Sequence, residues 1–76
     1  MHVKSLIHTC GTAHERATAH AIERDVRFGH PRSRQHLIDL VATTAQRKQL
    51  REPRVIEPNG DVALLTGERT LITWKA

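Results

Sequence analysis

The feature that most constrains the fold is the dipeptide Asn59-Gly60, which stands between two short alternating apolar runs. A two-residue type I′ turn needs positive φ at both central positions, and Asn-Gly meets that need at little steric cost. The dipeptide therefore predicts a β-hairpin between residues 54–57 and 61–65. Gly67-Glu68 predicts a second tight turn into a strand over residues 69–75, which together make a three-stranded antiparallel meander.

A first helix is predicted over about residues 13–27. Thr12 and Glu15 have the spacing of a capping box, and Gly29 is placed to end the helix as a C-cap. On a helical wheel, Ala19, Ile22 and Val26 share one side, which we expect to face the core.

A second helix is predicted to begin at His30-Pro31 or at Ser33 and to run to about Gln49. Its wide apolar arc comprises Leu37, Ile38, Leu40, Val41, Ala42 and Ala45. Residues 3–9 alternate loosely and predict a short edge strand before the helices. The expected fold class is α+β, with two helices packed on a three-stranded antiparallel meander and an additional N-terminal strand, in the order βααβββ.

The two faces of the sheet follow from the predicted loops. With two residues in each hairpin loop, one face carries Val55, Val62, Leu64 and Leu71, and the other carries Ile56, Ala63, Leu65, Ile72 and Trp74. Helices cover only one of these apolar faces. We therefore expect the second face to meet a partner or a second copy of the chain.

With 76 residues the chain is too short for two cores, so residues 1–76 are read as a single domain. The single cysteine, Cys10, excludes an internal disulfide. We find neither a signal peptide nor the roughly 20 consecutive apolar residues of a membrane span, so the expected location is the cytoplasm, without a membrane partner.

Positive charge is concentrated in the first part of the chain. Residues 1–54 carry ten Lys and Arg against five acids, whereas residues 55–76 carry two against three, within a net charge of +4. Such a field raises the local concentration of phosphate-bearing partners. RNA is the expected partner, with DNA or a host protein as alternatives.

Metal and cofactor chemistry are not expected. Cys10, His14 and His20 superficially suggest zinc, but their spacing does not suit ligands on one helix and a second cysteine is missing. No Walker loop, dinucleotide fingerprint or nucleophile motif is present either. The prediction is therefore a domain with no metal and no cofactor.

A basic stripe on the first helix is the main candidate for chemistry. It consists of Arg16, His20, Arg24 and Arg27, which share one side of the helix. An imidazole between phosphate-binding guanidinium groups suits metal-independent phosphodiester cleavage. The alternative is a solvated helix face, because Glu23 and Asp25 lie nearby.

The segment Thr18-Ala19-His20-Ala21-Ile22-Glu23-Arg24-Asp25-Val26, with the following helix, the Asn-Gly meander and the closing Arg69-Thr70-Leu71-Ile72-Thr73-Trp74, resembles short prokaryotic domains with a His-Ala-x-x-Arg helix. These look like relatives of the RelE and barnase-like ribonuclease toxins. The resemblance implies helices on a curled antiparallel sheet and RNA cleavage without a metal. It implies catalytic roles for His20 and Arg24, and for Arg69 and Thr73 on the last strand.

Two functional hypotheses follow. The first is a RelE-like endoribonuclease of toxin type, or an RNA-binding domain derived from one. Its nucleic-acid-binding residues would be Arg16, Arg24, Arg27, Arg32 and Arg34. The alternative is a non-enzymatic phage or plasmid regulator that binds DNA or inhibits a host protein.

Overall fold

The structure is a computed structural model that describes residues 2–8 and 11–75. Within them the chain forms β1 (Lys4–Ile7), α1 (Ala13–Phe28), α2 (Arg34–Arg47), β2 (Pro53–Ile56), β3 (Val62–Thr66) and β4 (Arg69–Lys75). This is the predicted α+β order of one strand, two helices and three strands, so the fold class is confirmed.

Both helices begin at side-chain caps that the sequence indicated. The Glu15 N–H donates to Thr12 Oγ1 at 3.1 Å, and Glu15 Oε1 accepts from the Thr12 N–H at 3.0 Å, which completes the capping box. Ser33 is the N-cap of α2, with its Oγ accepting from the His36 N–H at 3.1 Å. Of the two predicted starts for this helix, the structure therefore has Ser33.

The helices lie together on one face of the sheet, with α1 against β1 and β4 and α2 against β2 and β3. The core between the two layers consists of Ala19, Ile22, Val26, Leu37, Val41, Ala45, Val62, Leu64, Leu71, Ile72 and Trp74. The apolar sides predicted for both helices are confirmed by this core.

Gly29 ends α1 as predicted, but its backbone is right-handed, with φ −74°. Its importance is steric, because a Cβ at this position would lie 2.7 and 2.9 Å from the two δ-carbons of Leu40. The absence of a side chain lets the end of α1 approach α2 closely. His30, the next residue, takes the left-handed conformation with φ 49°.

The Asn59-Gly60 hairpin is confirmed. Asn59 and Gly60 have φ of 52° and 86°, as a type I′ turn requires. The Asp61 N–H donates to the Pro58 carbonyl at 2.9 Å, which gives Pro58–Gly60 the hydrogen bond of a 3₁₀ turn although Asn59 is left-handed. The ladder between β2 and β3 has the register of a two-residue loop, with Ile56 opposite Ala63.

One expectation about the sheet is wrong. Leu65 pairs with Thr70, but Leu64 pairs with Ile72, so a β-bulge inserts an extra residue into β4. Because side chains alternate between faces, the extra residue moves Ile72 and Trp74 to the side of Leu64. Both are buried under the helices, and Trp74 is 3% exposed. They do not lie on the open face with Ile56 and Ala63.

The open face of the sheet, opposite the helices, is centred on one cross-strand row. The sheet order is β1-β4-β3-β2, and the row runs through Leu6, Thr73, Ala63 and Ile56. Leu6 is 53% exposed and Ile56 is 39% exposed. The bulge therefore leaves a much less apolar open face than the sequence suggested.

Replacing Gly60 with valine is expected to lower the free energy of unfolding by about 1–3 kcal/mol, the usual cost of holding a non-glycine residue at positive φ. Nothing lies within 4 Å of a Cβ at this position, so crowding does not contribute. Urea denaturation measures the change, with Glu68→Val in the other turn as the control, since Glu68 is exposed and is not at positive φ. Equal effects of the two substitutions would contradict the turn assignment.

Candidate functional site

The basic stripe on α1 is present, but Arg16 at its N-terminal end is bound within the protein. Arg16 Nη1 donates to the Gly11 carbonyl at 2.7 Å, and the residue is half-buried. His20 and Arg24 are exposed on the outer side of the helix. Arg16 therefore holds the loop before α1, and His20 and Arg24 are the members of the stripe that face solvent.

Acidic neighbours compensate part of the charge of the stripe. Arg27 Nε donates to Glu23 Oε1 at 3.1 Å, and its Nη2 pairs with Glu23 Oε2. These hydrogen bonds raise the pKa of Arg27. Asp25 lies 3.2 Å from Lys48 Nζ and 3.8 Å from Arg24 Nε, so its closer pairing is with the residue that follows α2 rather than with the stripe.

Arg69 joins the last strand to the beginning of α1. It forms an ion pair with Glu15, the same carboxylate that caps the helix. The hydrogen bond from the Thr12 backbone N–H lowers the pKa of Glu15, and the hydrogen bond from Arg69 lowers it further. The predicted catalytic residue Arg69 thus has a structural partner at the N-terminus of α1.

Thr73 lies on the open face of the sheet, where Thr73 Oγ1 is 3.0 Å from His8 Nε2. The sheet itself therefore separates Thr73 from His20 and Arg24, which are on the outer side of α1. The four predicted catalytic residues are distributed over three places rather than brought together. The pairing of His8 with Thr73 depends on strand register, and no local motif near His8 indicated it.

The remaining predicted phosphate-binding residues lie at the connection between the helices. Arg34 forms an ion pair with Glu57 at 2.9 Å. Arg32 is exposed, and its backbone N–H donates to His36 Nδ1 at 3.0 Å, which fixes the loop. Among the described residues no ion pair holds the Arg32 side chain.

A cleft of about 680 Å³ lies where the N-terminus of β1, the end of α1 and the loop between the helices meet. We call it the β1–α1 cleft. It is lined by His2, Val3, Ser5, Glu23, Val26, Arg27, His30, Pro31, Arg32 and Trp74. It brings together two predicted phosphate-binding residues, Arg27 and Arg32, with two imidazoles that the sequence reasoning did not select.

A polar cluster forms part of the wall of the β1–α1 cleft. The Glu23 side chain is 12% exposed and accepts from Ser5 Oγ at 3.1 Å as well as from Arg27. Ser5 faces the helices because it pairs with Trp74 across the strands. Residues 5 and 23 are far apart along the chain, so neither periodicity nor spacing could have predicted this pair.

The structure adds two observations on metals and membranes. Within residues 2–8 and 11–75, no three His, Asp or Glu side chains are grouped as metal ligands would be. Cys10, the first member of the Cys10-His14-His20 series, lies outside the described residues. No helix in the described part of the chain is both long and apolar enough to cross a membrane.

Comparisons of the chain with models of protein families, with curated proteins and with solved structures found no match.

Proposed function

We propose that this domain is a cytoplasmic RNA-binding protein, related to RelE-like ribonucleases, that uses a cationic surface running from His20 and Arg24 to the β1–α1 cleft. The observation that carries the proposal is the charge of the cleft lining. It contains two guanidinium groups, Arg27 and Arg32, and one carboxylate, Glu23, which is already bonded to Arg27. A positive charge therefore remains for a phosphate.

The shape of this surface supports RNA over duplex DNA. Duplex DNA is usually read by an element that enters a groove, whereas a concave site suits an unpaired base. Single-stranded RNA offers such bases, and they stack on guanidinium and imidazole planes. The β1–α1 cleft supplies both kinds of group in Arg27, Arg32, His2 and His30.

Binding rather than cleavage is the activity that the geometry supports best. His20 and Arg24 are one turn apart on α1, but Arg69 is engaged with Glu15 and Thr73 is on the opposite face of the sheet. Cleavage needs an acid or base and a charge-stabilising group at the same phosphate. Of the two RelE-like hypotheses, a ribonuclease and an RNA-binding domain derived from one, we therefore propose the RNA-binding domain.

The main test compares Arg32→Ala with Arg47→Ala in RNA gel shifts at several salt concentrations. Each phosphate contact steepens the slope of log K against log salt by about 0.7 for a single strand. We expect Arg32→Ala, and likewise Arg24→Ala, to flatten the slope by about one contact. Arg47 is the matched control, because it is exposed, unpaired among the described residues and at the far end of α2.

The same assay separates the proposal from its rivals. Unchanged slopes in Arg24→Ala and Arg32→Ala, or an equal flattening of the slope in Arg47→Ala, would contradict RNA binding at this surface. A labelled RNA incubated in chelator tests cleavage directly. Turnover that is lost in His20→Ala while RNA affinity is kept would favour the ribonuclease hypothesis over simple binding.

A second candidate function is a non-enzymatic phage or plasmid regulator that binds a host protein, DNA or a second copy of the chain through the open face of the sheet. The observation that favours it is the exposure of Leu6 and Ile56 on this face. Arg54 and Lys4 border the same face. Sedimentation of the protein over a range of concentrations, alone and after Leu6→Ser, tests for the second copy.

A further inference from the structure

The β1–α1 cleft is much larger than a phosphate group needs. Its volume of about 680 Å³ falls within the range of roughly 300–1,000 Å³ typical of small-molecule sites. An ion alone would leave most of this space to water. The size therefore points to a ligand that carries a ring system as well as a charge.

The two arginines of the cleft, Arg27 and Arg32, differ in their contacts with other side chains. Two nitrogens of the Arg27 guanidinium pair with the Glu23 carboxylate, while the Arg27 side chain stays 73% exposed. Ser5 Oγ holds the same carboxylate at 3.1 Å. Arg32 carries the charge that is available at the mouth, since its side chain is exposed and has no ion pair among the described residues.

Beside the imidazoles of His2 and His30, the remaining lining residues are apolar. Val3 and Pro31 are half-buried, and Val26 and Trp74 are buried and form the floor. Apolar side chains beside a guanidinium group are a combination on which a nucleobase can pack. The cleft lining thus combines apolar side chains with exposed guanidinium groups.

From this arrangement we infer that the β1–α1 cleft binds one nucleotide unit, with its base against Val3 and Pro31 and its phosphate at Arg32. The inference rests on the proposed RNA-binding function and specifies it: the strand inserts a single unstacked nucleotide at this point. The ligand class is a nucleoside monophosphate of any base, because a base packs here through its π-face, which every base has.

The chain provides its own reporter for this site. Trp74 is the only tryptophan, and it lies at the floor of the cleft. The experiment titrates the full chain with AMP, UMP, adenosine and inorganic phosphate while the fluorescence of Trp74 is recorded. A U6 oligonucleotide is titrated in parallel, and its binding is followed independently by fluorescence anisotropy of a label on the RNA.

We expect AMP and UMP to change Trp74 emission with saturation, and adenosine and inorganic phosphate to bind at least about tenfold more weakly. The Arg32→Ala variant should weaken AMP binding about tenfold, which corresponds to about 1.4 kcal/mol, in the range of a hydrogen bond to a charged group. Arg47→Ala should have no effect. Arg32 is chosen over Arg27, since removing Arg27 also removes the ion-pair partner of Glu23 and would change the wall of the cleft.

The outcomes distinguish the two proposals. If U6 binds while Trp74 emission stays constant, RNA binding stands and the nucleotide site in the cleft is refuted. If AMP binds but U6 does not, the proposed RNA-binding function fails and the ligand class of the cleft stands. Equal responses to inorganic phosphate and AMP would overturn the inference by reducing the cleft to an anion site.

Discussion

Replacing Val41 with aspartate is expected to unfold the domain. Val41 is fully buried in α2, where it belongs to the core between the helices and the sheet. A carboxylate at this position would be buried without a partner, at a cost on the order of 5 kcal/mol or more. A chain of this size has a total stability of similar magnitude, so the folded state would no longer dominate.

Circular dichroism during heating measures this effect, with loss of the cooperative transition as the expected result. Thr43→Asp is the matched control, because Thr43 is exposed on the same helix two residues away. It should change the free energy of unfolding by about 0.5 kcal/mol or less. A Val41→Asp protein that melts at the wild-type temperature would refute the placement of α2 on the sheet.

Replacing Trp74 with alanine is expected to cost about 3–5 kcal/mol, the usual range for a large aromatic side chain removed from a core. Trp74 is 3% exposed and contacts the buried cluster under α1. A loss of this size would remove most of the stability of the domain, so the urea midpoint would fall to a low concentration. Tryptophan fluorescence is lost in the variant, so far-UV circular dichroism follows the transition.

Leu6→Ala is the comparison that makes the Trp74 result informative. Leu6 is 53% exposed on the open face of the sheet, so its truncation should cost about 1 kcal/mol or less. A Trp74→Ala loss as small as that of Leu6→Ala would place Trp74 on the open face instead. That result would contradict the β-bulge in β4.

The elements of the fold that could be predicted from the sequence are those with local signals. The capping box at Thr12 and the Asn59-Gly60 turn each lie within four residues of sequence, and their geometry depends on little else. The apolar side of α2 repeats with the helical period, so its burial followed directly.

The β-bulge had no such signal. Two-residue loops predicted a regular ladder, and nothing in the residues from Leu64 to Ile72 marks where one residue is added to one strand. Packing of the core favours the bulged register, since the bulge places both Ile72 and Trp74 under the helices. The packing energy of the core therefore decides the strand register. The local sequence pattern shows only that apolar and polar residues alternate.

The candidate site was only partly predictable for a similar reason. Arg27 and Arg32 were selected because basic residues suit phosphate. The β1–α1 cleft itself is made from three separate segments, and its polar wall includes the contact of Ser5 with Glu23. Such convergence depends on the pairing of β1 with β4 and on the packing of α1 above them, which no single segment specifies.

Gly29 and Leu40 lie close together in space although they are eleven positions apart in the sequence. A β-carbon at position 29 would displace the δ-methyl groups of Leu40, which are the far end of a flexible, half-buried side chain. The loop that begins at Gly29 also carries His30 and Arg32 to the mouth of the cleft. Among variants of this chain, alanine at position 29 is therefore expected to be accommodated by a shift of the Leu40 side chain, whereas a bulky residue there would push the start of this loop away from α2.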